Sequence, residues 1–479
     1  MKKIIKVLTY SILIFIISGC NKKTEQSHIH KYHEIVTNPT CEERGYTLYM
    51  CDCGYNYIDN YVDELGHHYE EVNFESTCFS HGITLFLCKC GNNYFSDSTD
   101  IIEHEYDENG NCYICQTNID SNYTILETYD FTDVSVNKPN ELLINSNLNR
   151  IMLIGDPSIV YTNFNIKVLS RSSNLCIFLK NFNYIANNEE IGLDCRDVPA
   201  GVEVMLLADG MSSIVGGQGK NGSKGTSYNY NNGAKYPGDG QDGYDGNDGA
   251  EGVVGNNIIL FTNEDSSLII SGGSGGNGGS GGDGEGAACE GIGQAGHAGN
   301  GGNGGNGATG LKIGKSLRIV NNGTINLIGG SGGNGGKGGH GGENTNTGTF
   351  DRADNAGNGG SGGNGGAGGY GVYLADEAKS VEVVKNLICC QSGAGGNGGN
   401  GGAGGSSCKN AFQSGNGGKA GNGGNGGNGG NYTNGIYNFA EECIINEVSG
   451  GLGGSGGKKG TCPNYSSYDG KKGYDGILI

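Results

Sequence analysis

A three-residue period, mostly Gly-Gly-Xaa, constrains this chain more than any other feature. Its plainest copy runs from Gly415 to Gly430 (GNGGKAGNGGNGGNGG), and relatives begin near Gly272, Gly296, Gly329, Gly357 and Gly393. An α-helix repeats every 3.6 residues and a strand every two, so neither can use this period. Polyproline II geometry can, with three residues per turn, a rise of about 3.1 Å and no internal hydrogen bonds. A lone helix of that kind is solvated, whereas a bundle satisfies its backbone between neighbours. Glycine content alone favours the other outcome, a disordered low-complexity linker.

The text between tracts favours the bundle. Short apolar-alternating blocks follow each returning tract: Val253–Ser271, Leu311–Ile328, Val372–Ser392 and Ile436–Ser449. Outgoing tracts begin near Gly216, Gly272, Gly329, Gly393 and Gly450, a spacing of 56 to 64 residues. A regular period of this size marks a stacked repeat array. The first and last tracts, Gly240–Gly252 and Gly470–Gly476, carry mainly one Gly per triplet and most of the charge. Helices at a rim need only one bare edge, and stacked arrays cap their ends with polar faces.

With 97 Gly among 479 residues and 35% hydrophobic content, the chain is not one ordinary globular domain. Its net charge of -20 excludes nucleic acid as the natural partner, because phosphate binding needs a basic footprint. Lys2, Lys3 and Lys6 precede an apolar run from Val7 to Ile17, and Ser18-Gly19 lead into Cys20. That is a secretory signal pattern. Its I-S-G-C ending resembles the lipobox of bacterial lipoproteins. The resemblance implies removal of residues 1–19, lipidation (palmitate among the acyl chains) at Cys20, and attachment to the outer face of the cell membrane. Two or more acyl chains anchor stably where one does not.

From His28 to about Asp120 a second repeat takes over. His30, Cys41, Cys51 and Cys53 recur 37 residues on as His67, Cys78, Cys88 and Cys90, and a shortened copy adds His104, Cys112 and Cys115. Thiolate and imidazole are preferred zinc ligands, and a closed Cys3His tetrahedron is a structural site. Units this small need such a staple. Eight Cys in an exported segment also suit disulfides. Zinc is preferred because His recurs in register with Cys. The spacing leaves His67 free to close the first unit or open the second. The preferred sets are Cys41, Cys51, Cys53 with His67, and Cys78, Cys88, Cys90 with His104. Cys112 and Cys115 then pair with His28, His30 or each other. The text TCEERGYTLYMCDCG against TCFSHGITLFLCKCG resembles Cys/His repeats of extracellular proteins in low-GC Gram-positive bacteria. That resemblance implies a stalk or spacer module.

Between about Ser121 and Asp209 short β-type segments (IMLIGDPSIVY, FNIKVLS, NLCIFLKNFNYIA) alternate with Asn, Asp, Ser and Gly turns. This is the texture of a right-handed parallel β-solenoid, with a β-sandwich as the alternative for this segment. The expected fold is mainly β: small Cys/His-stapled repeats, then a solenoid-like array whose coils throw out polyglycine II (GGx) hairpins. The expected organisation is leader 1–19, tether 20–27, stalk 28–120, β-rich domain 121–209 and glycine-rich array 210–479. Asp242, Asp245 and Asp248 line one edge and read as a solvated acidic row, too widely spaced to share one calcium ion. Among Cys residues outside the stalk, Cys408 and Cys462 sit in consecutive hairpin turns and could form a disulfide. Cys176 with Cys195, and Cys389 or Cys390 with Cys443, could stack.

The GGx periodicity also resembles polyglycine II bundle proteins, such as a springtail antifreeze protein and the receptor-binding tips of some phage tail fibres. In the latter, loops at the bundle end carry specificity. Here the corresponding stretches (Thr226–Pro237, Ala287–Ala295, Glu343–Ala356, Ser406–Ser414 and Thr461–Tyr468) differ from one another and hold several aromatics. Variable loops on a rigid scaffold are where binding resides. No Ser-His-Asp, HExxH, nucleophile-elbow or phosphate-loop pattern occurs. The sequence therefore points to a surface-anchored structural or adhesive element, not an enzyme, that meets a host or cell-surface glycan or protein through these loops. The alternatives are a carbohydrate-active β-helix enzyme and a disordered glycine-rich spacer.

Overall fold

The computed structural model describes residues 29–119, 127–133, 140–227, 237–286, 294–343, 355–375, 380–384, 388–406, 433–434 and 443–446. The chain divides into two compact units, Met1–His67 and His68–Ile479. The boundary falls inside the expected 28–120 stalk. No α-helix occurs among the described residues, and none is long and apolar enough to cross a membrane. The expectation of a mainly β chain therefore holds.

In the first unit β1 (Tyr32–Thr37), β2 (Gly45–Cys51) and β3 (Asn56–Val62) form an antiparallel sheet. The C-x-C-G segment makes the turn between β2 and β3. Gly54 N–H donates to Cys51 O at 2.8 Å, and Cys51 N–H donates to Tyr55 O at 2.9 Å. Gly54 has φ 92°, which only glycine adopts cheaply, and Gly91 repeats it at φ 89°. The apolar side is aromatic: Tyr49 stacks on Tyr57 at 4.9 Å, with Tyr32 edge-on to Tyr57 at 5.1 Å.

The second unit opens with the same hairpin: β4 (Tyr69–Phe74), β5 (Ile83–Cys88) and β6 (Asn93–Phe95). Here the apolar face is covered. Val72, Phe74, Leu85 and Leu87 pack on Cys176, Met205, Leu207, Ile259, Phe261 and Val320, which point outward from a parallel sheet. That sheet explains why its strands read as continuous apolar runs, since both faces are buried.

From Thr128 onward nearly all pairing is parallel. One sheet has seven strands, and another follows a path of eight with side branches. Each repeat adds a longer strand to one and a shorter strand to the other. Val253–Thr262 pairs with Leu311–Asn321 across a register shift between Gly255 and Asn257, and Ser267–Ser271 pairs with Thr324–Ile328 in unbroken register. The inward residues form one continuous core, from Phe131, Phe164, Phe182 and Tyr184 at the start to Leu317, Ile319, Ile325 and Leu327 further along. The aromatics at the first rungs are fully buried, and the Tyr184 hydroxyl donates to Phe164 O at 2.8 Å. A β-sandwich is thereby excluded for this segment, since its sheets would be antiparallel.

Two expected cysteine stacks are corrected. Cys176 faces outward among the residues covering β4–β6, whereas Cys195 points into the main core, so they do not meet. Cys443 registers opposite Ile388, with Cys389 opposite Ile444 and Cys390 opposite Ile445. Among the cysteines whose side chains are described, from Cys41 to Cys195 and Cys390, none is in a disulfide. Cys20, Cys408 and Cys462 lie outside the described residues.

Between strands the glycine tracts run extended and hydrogen-bond to one another. In Gly275-Gly276-Asn277 all three N–H groups are used. Gly275 donates to Ser331 O and Gly276 to Asn247 O, each at 2.8 Å. Asn277 N–H donates to the Asn221 side-chain Oδ1, also at 2.8 Å. Asn334 N–H donates in turn to Asn277 Oδ1, and Asn397 N–H to Asn334 Oδ1, both at 2.8 Å. The Xaa side chains therefore form ladders across tracts. The acidic row belongs to one: Asp239, Asp242, Asp245 and Asp248 each accept the N–H of the residue 58 positions later, at 2.6 Å. This corrects the expectation of a merely solvated edge. Tracts approach so closely that a Cβ at Gly276 would sit 2.0 Å from Lys220 O.

Candidate metal centres

The Cys/His repeat places its ligands on two kinds of turn. The first is the Thr-Cys turn. Thr77 Oγ1 accepts the Ser80 N–H at 3.0 Å and donates to Asn147 O at 2.6 Å. Thr40 makes the matching turn, accepting the Glu43 N–H at 2.9 Å. A threonine hydroxyl that closes a local turn is why Thr precedes each of these Cys residues. The Thr77 turn is also tied to the parallel sheet, because Asn149 N–H donates to Ser80 Oγ at 3.0 Å. Arg171 bonds Asn149 Oδ1 and Leu148 O, both at 2.6 Å. The second kind is the C-x-C-G turn described above.

In the second unit Cys78, His104, Cys112 and Cys115 bring their four ligand atoms within 4.8 Å of one another. Cys78 Sγ and Cys112 Sγ are 3.9 Å apart, and Cys115 Sγ is 3.4 Å from His104 Nδ1. A zinc tetrahedron with Zn–S bonds of about 2.3 Å and Zn–N of about 2.0–2.1 Å has S–S edges of about 3.8 Å and S–N edges of about 3.5 Å. The residues fit. His104 is held by stacking on Tyr106 at 5.5 Å and by the edge of Phe79 at 5.2 Å. Burial, and then the neighbouring Cys112 and Cys115, push the Cys78 thiol up to about 12. The Cys115 backbone N–H is the first of several donors that draw Cys112 down to about 6. Thiols this crowded cannot all ionise beside one another without a cation, which is what a bound divalent metal supplies.

In the first unit His30, Cys51 and Cys53 form a second group, again within 4.8 Å. His30 Nδ1 is 3.2 Å from Cys53 Sγ. The His30 ring lies 5.1 Å from Tyr55 and 5.7 Å from Tyr32. The Cys53 backbone N–H, followed by the His30 ring, lowers the Cys51 thiol to about 6. Cys53 itself is exposed.

This grouping differs from the expected one. Cys51 and Cys53 go with the histidine before them, not with Cys41 and His67. Cys78 and His104 go with Cys112 and Cys115, not with Cys88 and Cys90. The physical reason is that each C-x-C turn sits at the far end of its hairpin from its own Thr-Cys turn. Tyr32 pairs with Cys51 across β1 and β2, so the residue that reaches this turn is the one entering β1. Of the remaining expected ligands, His67 has Nε2 3.5 Å from Glu42 Oε1, Cys41 is half-buried, Cys88 is buried and Cys90 half-buried.

One further charged cluster was not legible in the sequence. Arg318, one of six scattered arginines, donates to Glu70 at 2.9 Å and to Glu382 at 3.0 Å. Arg318, Glu382 and Glu203 border a cavity of about 170 Å³. Burial raises the Glu203 carboxyl above its usual range. The cluster fastens β4 to the parallel sheet, and its carboxylates share one guanidinium.

No protein-family model and no curated protein matches the chain. Among solved structures it is similar to the nine-helix polyproline type II bundle antifreeze protein of the springtail Granisotoma rainieri, at 21% identity. The match covers 54% of this chain and 94% of that one, with a TM-score of 0.15.

Proposed function

We propose that the chain is a surface-anchored bacterial lipoprotein that serves as a rigid structural or adhesive scaffold. Lipid at Cys20 tethers it to the outer face of the membrane. Zinc-stapled Cys/His repeats lead into a right-handed β-solenoid whose coils extend as polyglycine II hairpins. The observation that carries this reading is the complete use of N–H groups within triplets such as Gly275-Gly276-Asn277. A spacer has no reason to pair three donors per triplet; a scaffold that must hold its loops in place does. The hairpin turns then present the variable, aromatic-bearing stretches to a glycan or protein ligand. Those turns fall mostly outside the described residues.

A catalytic role finds less support. The described concavities of about 400 and 430 Å³ are open grooves lined mainly by Gly, Ser and Asn, without a carboxylate or histidine. Glu70 and Glu382 are both engaged in ion pairs with Arg318.

The test has two arms. Labelled palmitate should enter the wild-type protein and not Cys20→Ala; retained label removes the anchor. The soluble Cys20→Ala chain should then bind a subset of a glycan or host-protein array, and lose that binding when residues 344–354 are replaced by Gly-Ser. Array-wide absence of binding by the ordered chain removes the adhesive role.

A further inference from the structure

The turn that carries Cys78 joins the parallel sheet through buried polar groups. Ser80, Asn149 and Arg171 are 0%, 3% and 4% exposed. Asn149 N–H donates to Ser80 Oγ at 3.0 Å, and Asn149 Nδ2 donates to Glu75 O at 2.8 Å. Asn149 Oδ1 accepts from Arg171 at 2.6 Å. Asn149 O accepts the Cys176 N–H at 2.9 Å, where strand Leu175–Lys180 begins beside Arg150–Ile154. Burial draws the Arg171 guanidinium down to about 10. A buried network of this kind is stable when complete and costly when one partner leaves. Phe79 of the same turn packs against the main core.

What closes over this turn has little core of its own. Residues 96–119 are described throughout and form no strand, only isolated bridges such as Tyr106 with Cys112. Tyr113 and Ile119 are 64% and 61% exposed. The ties of this segment to the Cys78 turn include Ile102 N–H, which donates to Thr77 O at 2.9 Å, and the four gathered donors of Cys78, His104, Cys112 and Cys115. A segment that buries so little needs a metal to fix it. We infer that this centre is a lock on the parallel sheet. Metal bound there keeps the corner at Asn149 and Arg171 closed; metal loss opens strands Arg150–Ile154 and Leu175–Lys180 while later coils hold. The claim rests on the reading of this group as a zinc centre. The route runs from Cys78 through Ser80 to Asn149, and from Asn149 to Arg171 and the start of the Leu175–Lys180 strand. Later coils hold because each coil of a stacked array leans on its neighbours. Val72, Phe74, Leu85 and Leu87 also keep their apolar cover on Ile259, Phe261 and Val320, which no metal mediates. The lock makes this Cys/His copy a metal-dependent part of the scaffold instead of a spacer.

The experiment is amide hydrogen exchange on the full chain from residue 20 with Cys20→Ala, compared zinc-loaded and after chelation under a phosphine reductant. Chelation should speed exchange about tenfold or more in peptides spanning Arg150–Ile154 and Leu175–Lys180, and hardly at all in Leu311–Asn321. Returning zinc should restore the protection. Cys112→Ser should show the fast pattern even in excess zinc, and Cys51→Ser should respond as the parent chain does. Asn149→Ala should still bind the Cys112-dependent zinc, but exchange in the two strands should no longer respond to it. If Cys112→Ser does not fold, the reversible chelation arm decides alone. Zinc that binds through Cys112 without altering exchange in the two strands overturns the lock, while the zinc reading stands. A full zinc response in Asn149→Ala also overturns it, as does protection lost equally in Leu311–Asn321, which would make the metal a requirement of the whole fold. Absence of any Cys112-dependent zinc means that the zinc reading itself has failed.

Discussion

Replacing Gly333 with alanine should damage the array far more than one methyl group suggests. A Cβ at Gly333 would lie 2.0 Å from Gly276 O and 2.5 Å from Gly276 C. Ordinary contact begins near 3.4 Å, so the tracts must separate by more than 1 Å. Two bonds converge there: Gly333 N–H to Gly305 O and Gly305 N–H to Gly276 O, each at 2.8 Å. Stretching both past bonding distance, in a site where Gly333 is buried, costs about 1–3 kcal/mol each, so about 2–6 kcal/mol together. In a floppy chain the same change would be neutral or stabilising by about 0.4–1 kcal/mol, through reduced unfolded-state entropy. The sign of the effect therefore separates packed tracts from a linker. The assay is a urea titration of the full chain followed by circular dichroism, with exposed Lys337→Ala as control. Gly333→Ala should lower the midpoint clearly and Lys337→Ala hardly at all. An unchanged or raised midpoint for Gly333→Ala refutes the packing argument.

Asn334→Ala removes the acceptor of the Asn397 N–H and should cost about 1 kcal/mol in the same titration, less than Gly333→Ala. Cys112→Ser should lower bound zinc by one per chain in elemental analysis; unchanged stoichiometry would remove Cys112 from the ligand set. Asp194 is pushed up by burial but held below its usual value by Arg196, at 2.8 and 2.9 Å. A depressed folded pKa stabilises above the unfolded value, about 3.9, and that stabilisation is lost as pH falls. Arg196→Ala should therefore be less stable than wild type at pH 7, and the gap should narrow as pH falls below the unfolded value. A gap independent of pH would assign the effect to lost packing instead. Peptide mapping of the unreduced protein should recover a Cys408–Cys462 cross-link if hairpins stack in chain order, and a Cys289–Cys408 link would refute that order.

The repeat spacing made the strand ladder legible, because 56 to 64 residues per repeat places Val253–Ser271 directly beside Leu311–Ile328. The ligand types were equally plain, but their partners were not. A set that combines the end of one copy with the start of the next has the same composition as a set within one copy. The third copy held the clue: it offers Cys112 and Cys115 without a Thr-Cys turn of its own, so its fourth donor had to come from earlier in the chain. The Asx ladders were invisible because Asn at Xaa reads as a polar edge. Whether Asn277 meets Asn221 and Asn334 depends on the register between tracts, which the strands set at a distance. Packing of β4–β6 on the parallel sheet likewise needed Phe261 and Met205 to point outward, a choice of face that runs of uniform apolar residues do not reveal.

The two halves of each repeat bury opposite kinds of surface. The strands bury apolar side chains such as Leu260 and Ile319, whereas the tracts bury peptide groups with almost no side chain attached. Exposing apolar surface on unfolding raises the heat capacity by about 0.45 cal/K/mol/Å², and exposing polar surface lowers it by about 0.26. The two layers pull the heat-capacity increment in opposite directions, so calorimetry should find a total below the usual 12–15 cal/mol/K per residue. A small increment flattens the dependence of stability on temperature. Hydrophobic attraction weakens on cooling, but the glycine layer scarcely depends on it. Cold would reach the strands before it reached the hairpins.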